Sequence, residues 1–114
     1  GRALADRYGY RWVADEASAP AADVLVNVTP LGMDGPESAV LAFEESRVVA
    51  ASTVFDVVAF PSQTPLIRAA RGAGVRVITG AEVIALQAAR QFERYTGVVP
   101  SPELVERASR FSRE

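Results

Sequence analysis

Three short runs rich in β-branched residues, Val24-Leu25-Val26-Asn27-Val28, Thr53-Val54-Phe55 and Val75-Arg76-Val77-Ile78, alternate along the chain with stretches that carry helix start and stop signals. That alternation constrains the fold more than any other feature. Strands separated by helices and short loops build a parallel sheet, because parallel neighbours need a crossover connection and right-handed crossovers cover the sheet. Ligands of such sheets bind beyond the carboxyl ends of the strands. The places to look are therefore 27–33, 57–63 and 79–82.

The local signals sharpen this reading. Arg2 to Tyr8 reads as a helical turn with Gly9 as its C-cap, and Tyr10 to Ala14 then alternates bulky and polar residues as a strand does. Residues 15–22 form a polar connection. The almost continuous apolar run 23–28 suits a strand covered on both faces, and it is expected to be central. A loop of turn formers follows, with Pro30, Gly32, Gly35 and Pro36, and residues 48–59 hold the next strand. Thr64-Pro65 pairs an N-cap with proline at the first helical position, predicting a helix over 66–73 that Gly74 closes. A further helix spans about 81–95, with Ile84, Ala88, Phe92 and Tyr95 on one face, and Gly97 ends it. Ser101-Pro102-Glu103 starts a last helix striped by Leu104, Ala108 and Phe111.

At 114 residues, with 49% apolar and 23% charged residues, the chain suits one domain with a core of its own. A net charge of -2 with scattered Arg lacks the clustered basic face that nucleic acid requires. There is no Cys, His or Lys, so thiolate, imidazole and lysine chemistry are all closed to these residues, and no metal site is expected. No apolar run approaches the about 18 residues of a membrane span, and 1–8 reads as helix rather than signal peptide, so the expected setting is cytoplasmic. Asn27-Val28-Thr29 fits a glycosylation sequon, but Pro30 follows it and no secretory signal accompanies it. The Gly-x-Gly-x-x-Gly pattern that cradles a pyrophosphate is absent.

Three segments, 23–33 (Asp-Val-Leu-Val-Asn-Val-Thr-Pro-Leu-Gly-Met), Phe55-Asp56-Val57-Val58 through Thr64-Pro65-Leu66, and Gln87-Ala88-Ala89-Arg90-Gln91-Phe92 through Tyr95-Thr96-Gly97, come in the order found in one known family. In them the chain resembles the C-terminal half of shikimate dehydrogenases. The resemblance implies an α/β, Rossmann-type doubly wound parallel sheet, of which residues 1–114 would be the partial C-terminal NAD(P)-binding domain, with 81–114 as closing helices. It implies hydride transfer between NADP and the shikimate/3-dehydroshikimate pair, with NAD as the alternative cofactor. The family's glycine-rich loop, its NADP-selecting segment and its catalytic Lys and Asp would lie upstream, so no catalytic residue is assigned here and the chain alone is expected to be inactive. Gly1, set inside a helical pattern without an initiator Met, is expected to be a cut end.

The same resemblance assigns Asn27, Thr29, Val57 and Gly80 to the cofactor and Gln87 to a substrate hydroxyl. Each has a plainer alternative: Asx or Thr turn bonding for Asn27 and Thr29, a buried strand valine for Val57, a simple turn for Gly80, and a helix-surface glutamine for Gln87. Asp56 is read as a structural carboxylate bonded to nearby backbone rather than as a catalytic acid. Two departures mark the chain. The family usually has Tyr and Asn where Ala59 and Phe60 stand, and that Tyr contacts substrate; the family's Gly-x-Gly-Met-Leu stretch appears as Gly80-Ala81-Glu82-Val83-Ile84. Both resemble a shikimate dehydrogenase-like subgroup, as does Val58-Ala59-Phe60-Pro61, and that subgroup is expected to oxidise shikimate poorly. Quinate or a related cyclohexene carboxylate is an alternative substrate, and a noncatalytic NAD(P)-fold module an alternative role. A sheet without its first two strands would expose edges and apolar faces, predicting association of the chain with itself or with the missing N-terminal part.

Overall fold

The computed structural model describes residues 1–111. The final three residues of the expected closing helices, 112–114, lie outside them. Helix α1 (Arg2–Tyr8) comes first, ended by Gly9 in the left-handed region at φ 71°. A 3-10 turn, Glu16–Ser18, interrupts the connection to strand β1 (Val24–Asn27). Helix α2 (Glu45–Ala50), strand β2 (Thr53–Asp56), helix α3 (Pro65–Gly72) and strand β3 (Arg76–Thr79) follow in alternation. Helix α4 (Gly80–Thr96) starts at the residue after β3, and α5 (Pro102–Phe111) closes the described chain.

The three strands form a parallel sheet in the order β1-β2-β3, as the alternation of strand and helix signals predicts. Their register places Leu25 beside Val54 and Val77, and Asn27 beside Asp56 and Thr79. Successive strand residues point to opposite faces, so these six share one face. Against it pack Val48 and Ala51 from α2 and its C-terminal boundary, and Leu66 and Ala70 from α3, forming with Leu25 and Val54 the core cluster. Thr64 caps α3 by accepting from the Ile67 N–H at 3.2 Å, and Pro65 opens the helix as the Thr-Pro pair predicts.

Two expectations fail on tertiary grounds. Tyr10–Ala14 is not a strand: among the described residues no strand lies beside it, and a pattern of alternating side chains cannot make a ladder without a partner. Trp12 instead turns back toward α1, where the Arg2 guanidinium sits 5.7 Å from the centre of its ring. Among the described residues strand β1 is not central: it lies at an edge of their three-stranded sheet and is covered on one face only, with Val24 53% and Val26 43% exposed. Helix α2 was not foreseen, because its six residues carry no N-cap side-chain bond and it stands on the burial of Val48.

The opposite face of the sheet carries Val26, Phe55 and Ile78 in register, all partly or largely uncovered. The radius of gyration, 16.4 Å, exceeds the about 13 Å of a compact domain of this length. Helices α4 and α5 pack on each other, and Ile84, Leu86 and Phe92 of α4, with Val99 in the connection between them, remain exposed. No helix among the described residues is long and apolar enough to cross a membrane.

Candidate functional site

The carboxyl ends of the three strands carry a row of polar side chains, Asn27, Asp56 and Thr79, each at most 5% exposed. Polar groups at that depth are stable only when hydrogen-bonded, and all of them are. Asp56 Oδ1 accepts from Asn27 Nδ2 at 3.1 Å and from the Val58 N–H at 3.1 Å, and its Oδ2 accepts from the Thr64 hydroxyl at 2.6 Å. The reading of Asp56 as a structural carboxylate therefore holds, although two of its three donors are side chains.

Asn27 sits at the centre of the β1 end. Its Nδ2 also donates to the Leu31 carbonyl at 3.2 Å, while its Oδ1 accepts from the Thr29 N–H at 3.0 Å and from the Thr29 hydroxyl at 2.6 Å. The Thr29 oxygen in turn accepts from the Leu31 N–H at 3.3 Å. The Asn27 amide is thus fully engaged inside the protein, and the turn it shapes presents exposed Thr29 and Val28 to solvent. Gly32 continues the turn at φ 86°, packed so closely on α3 that an added Cβ would lie 3.1 Å from Thr64 Cβ.

At β2 the chain leaves the sheet through Val57, whose N–H extends the ladder by donating to the Asn27 carbonyl at 3.1 Å. Val57 is 38% exposed, so it is not the buried strand valine of the plainer reading. Gly80, at the end of β3, is buried against this segment. A Cβ there would lie 2.7 Å from the carbonyl carbons of both Val57 and Val58, and nearer still to the Val57 oxygen. Only a residue without a side chain lets α4 start this close to the β2 end. Gln87 follows seven residues later. Seven residues turn an α-helix about 20° short of two full turns, with a rise of about 10.5 Å, so Gln87 lies on the same side of α4 as Gly80, and it is exposed.

The start of α4 is fixed by a capping box. Thr79 Oγ1 accepts from the Glu82 N–H at 3.2 Å, and Glu82 Oε2 accepts from the Thr79 N–H and hydroxyl, both at 2.8 Å. The Thr79 backbone bond, then the Thr79 hydroxyl, with Arg71 adding a smaller attraction, hold the Glu82 carboxyl below its ordinary 4.5 against the opposing effect of burial. A lowered pKa stabilises the fold above the ordinary value, and that contribution is lost as pH falls through the lowered one. Thr79→Ala is expected to cost about 1 kcal/mol near neutral pH. Denaturation curves of Glu82→Gln and the parent chain should converge below pH 4.5; a gap that is constant with pH would mean the carboxylate charge contributes nothing.

The sequence brought Asn27, Thr29, Val57 and Gly80 to one end of the sheet, and the structure has them there with Gln87 in line on α4. It had read Thr64 as an N-cap; the second role of that hydroxyl, as donor to Asp56, has no local signal. Arg47 was also missed: its guanidinium donates to the carbonyls of Glu16, Ala19 and Pro20 at 2.6, 2.7 and 3.1 Å, pinning the connection before β1. Among the described residues no group of three or more acidic, His or Cys side chains could hold a metal ion.

No protein-family model matches the chain. The chain is 47% identical to the shikimate dehydrogenase-like protein of Haemophilus influenzae over 114 residues, which is 99% of this chain and 42% of the relative. A solved shikimate 5-dehydrogenase-like protein superposes with a TM-score of 0.94 at 47% identity, covering 100% of this chain and 42% of the other. The shikimate 5-dehydrogenase of Thermus thermophilus, solved in complex with NADP(H) and shikimate, gives a TM-score of 0.77 at 33% identity, covering 97% of this chain and 41% of the other. The chain thus spans about two fifths of the length of these proteins.

Proposed function

Since the chain belongs to the shikimate dehydrogenase family, we propose that it forms the nicotinamide side of an NADP-dependent oxidoreductase acting on shikimate or a close relative. The observation that carries this reading is the seat of Gly80 on the Val57–Val58 peptide. A glycine there lets the start of α4 press on the exit of β2, holding together the carboxyl ends of β2 and β3, where ligands of parallel sheets bind, with half-exposed Val57 beside them as an apolar contact for a planar nicotinamide. Val57 would offer an apolar contact to the ring, the Asn27–Thr29 turn would border its ribose, and the Gln87 amide would bond a substrate hydroxyl.

The cofactor, when bound, supplies a hydride acceptor or donor at its nicotinamide ring. The residues of this chain would orient that ring and one end of the substrate and exclude water from the contact between them. No proton transfer is assigned to them: Asp56 is buried with both oxygens bonded, and the Glu82 carboxylate is held in the capping box by Thr79. The pyrophosphate has no glycine-rich loop here to receive it, so the proposal leaves phosphate binding and proton transfer to other parts of the whole protein.

A second substrate reading rests on Phe60, which is 58% exposed in the loop after β2. An apolar ring at that rim bonds no hydroxyl, so a polar contact that would single out shikimate is missing there, and quinate or a related ring carboxylate is the second substrate reading. A noncatalytic role has no comparable observation in its favour. The uncovered sheet face, with the edge of β1 beside it, supports association of this chain with itself or with an N-terminal part of the whole protein.

Titration of NADP and NAD into this chain and into the full-length protein tests the proposal, followed by shikimate- and quinate-dependent NADPH formation. Binding and turnover in the full-length protein with little binding by the chain alone is the expected result. A full-length protein that binds neither nucleotide would sink it. Sedimentation of the chain run alongside should give a species larger than a monomer, and a strict monomer would remove the argument for association.

A further inference from the structure

The hydrogen bonds around Asp56 form one continuous relay across the end of the sheet. The Leu31 N–H donates to Thr29 Oγ1, the Thr29 hydroxyl to Asn27 Oδ1 and Asn27 Nδ2 to Asp56 Oδ1; from the other side the Ile67 N–H donates to Thr64 Oγ1 and the Thr64 hydroxyl to Asp56 Oδ2. Asp56 is its junction, 0% exposed and bonded at three places: the last residue of β1, the exit of β2 and the N-cap of α3. The Val58 N–H that it accepts belongs to the peptide on which Gly80 is seated.

We infer that Asp56 is a positioning residue that sets the Val57–Val58 peptide and the Asn27–Thr29 turn relative to Gly80, and through them the affinity for the nicotinamide nucleotide. The inference rests on the cofactor reading given above. The chemistry requires a carboxylate at this place, because all three partners of Asp56 are donors. The orientation of the Asn27 amide is fixed by the two Thr29 donors at its oxygen, and Thr64 Oγ1 already accepts from Ile67, leaving its proton for Asp56. An amide in place of the carboxylate would turn an NH2 group toward one of these donors. In a buried setting that conflict moves backbone rather than being absorbed by water. The backbone nearest to it is the Val57–Val58 peptide.

The test is Asp56→Asn in the full-length protein, with Val54→Ala as a control: a residue of the same strand, also 0% exposed, that makes no bond to the relay. The expected result for Asp56→Asn is a rise of about tenfold in KM and Kd for NADP(H), the scale of one mispaired buried hydrogen bond, with KM for the cyclic substrate changed less than twofold. Thr64→Val should move the cofactor constants the same way by less, and Thr64→Ser should restore them. A purely structural role would lower the active fraction and leave both KM values alone. Unchanged cofactor constants in Asp56→Asn, or an equal shift in Val54→Ala, would overturn the inference. Should the parent protein bind no nucleotide, the cofactor reading fails separately. Amide hydrogen exchange then decides the positioning claim: joint loss of protection at Thr29, Leu31 and Val58 in Asp56→Asn, absent in Val54→Ala, supports it, and independent behaviour of those amides refutes it.

Discussion

Gly80→Ala is expected to destabilise the chain by about 2 kcal/mol and to weaken NADP binding by the full-length protein more than tenfold. Two effects compete. Replacing glycine by alanine in a helix gains at most about 1 kcal/mol from backbone entropy. The new Cβ, however, meets backbone on the neighbouring segment, with the carbonyl carbons of Val57 and Val58 at 2.7 Å. Neither is the end of a flexible side chain, so β2 and α4 must separate, and overpacking of this kind costs about 1–3 kcal/mol or more. Because α4 also carries Gln87, its displacement would disturb the proposed cofactor and substrate contacts together. Gly97→Ala serves as the comparison: at φ 72°, with open space around it, it should cost about 1–2 kcal/mol and leave nucleotide affinity unchanged. Urea denaturation and nucleotide titration of both variants would show this, and a Gly80→Ala chain more stable than its parent would mean that Gly80 is not pressed against β2.

Leu66→Ala should cost about 2–5 kcal/mol, lowering the melting temperature by roughly 10 °C or more, whereas Val26→Thr should change it little with the chain dilute enough to be monomeric. Leu66 is 1% exposed and belongs to the cluster formed with Leu25, Val48, Val54 and Ala70. Its truncation leaves a void between α3 and the sheet that the surrounding strands cannot close. Val26 lies on the opposite face and is already 43% exposed, so shortening its contact with solvent removes little burial. The contrast locates the core of the chain on one face of the sheet. Thermal denaturation of the two variants measures it directly, and a large loss from Val26→Thr would mean that something covers the second face.

The two faces also bear on function. The covered face ends in the polar row Asn27, Asp56 and Thr79, a rigid support that holds the strand ends in register. The exits of the strands above that row, Val28, Val57 and Gly80, are the proposed place of the nicotinamide. A support of fully satisfied hydrogen bonds beneath exposed Val28 and Val57 is a suitable base for a flat ring, since the surface keeps its shape without a ligand to order it.

Much of this organisation was legible in the sequence. Thr64-Pro65, Ser101-Pro102 and the glycines at 9, 74 and 97 fixed helix boundaries, because caps and left-handed residues act through bonds a few residues long. The parallel sheet followed from the alternation of strand and helix signals, and the strand-end segments followed from the sheet. Asn27, Thr29, Val57, Gly80 and Gln87 were found through family resemblance, and their roles toward cofactor and substrate remain the proposal made above. What tertiary structure alone decided is of another kind. Among the described residues Tyr10–Ala14 has the pattern of a strand and no partner, and the apolar run of β1 has the composition of a central strand and an edge position; Asp56 takes donors from Asn27, 29 residues away, and from Thr64, 8 residues away. Pattern and propensity describe what a segment could bury or bond, but pairing, covering and hydrogen-bond closure depend on which other segments arrive beside it, and that is a property of the whole packed chain.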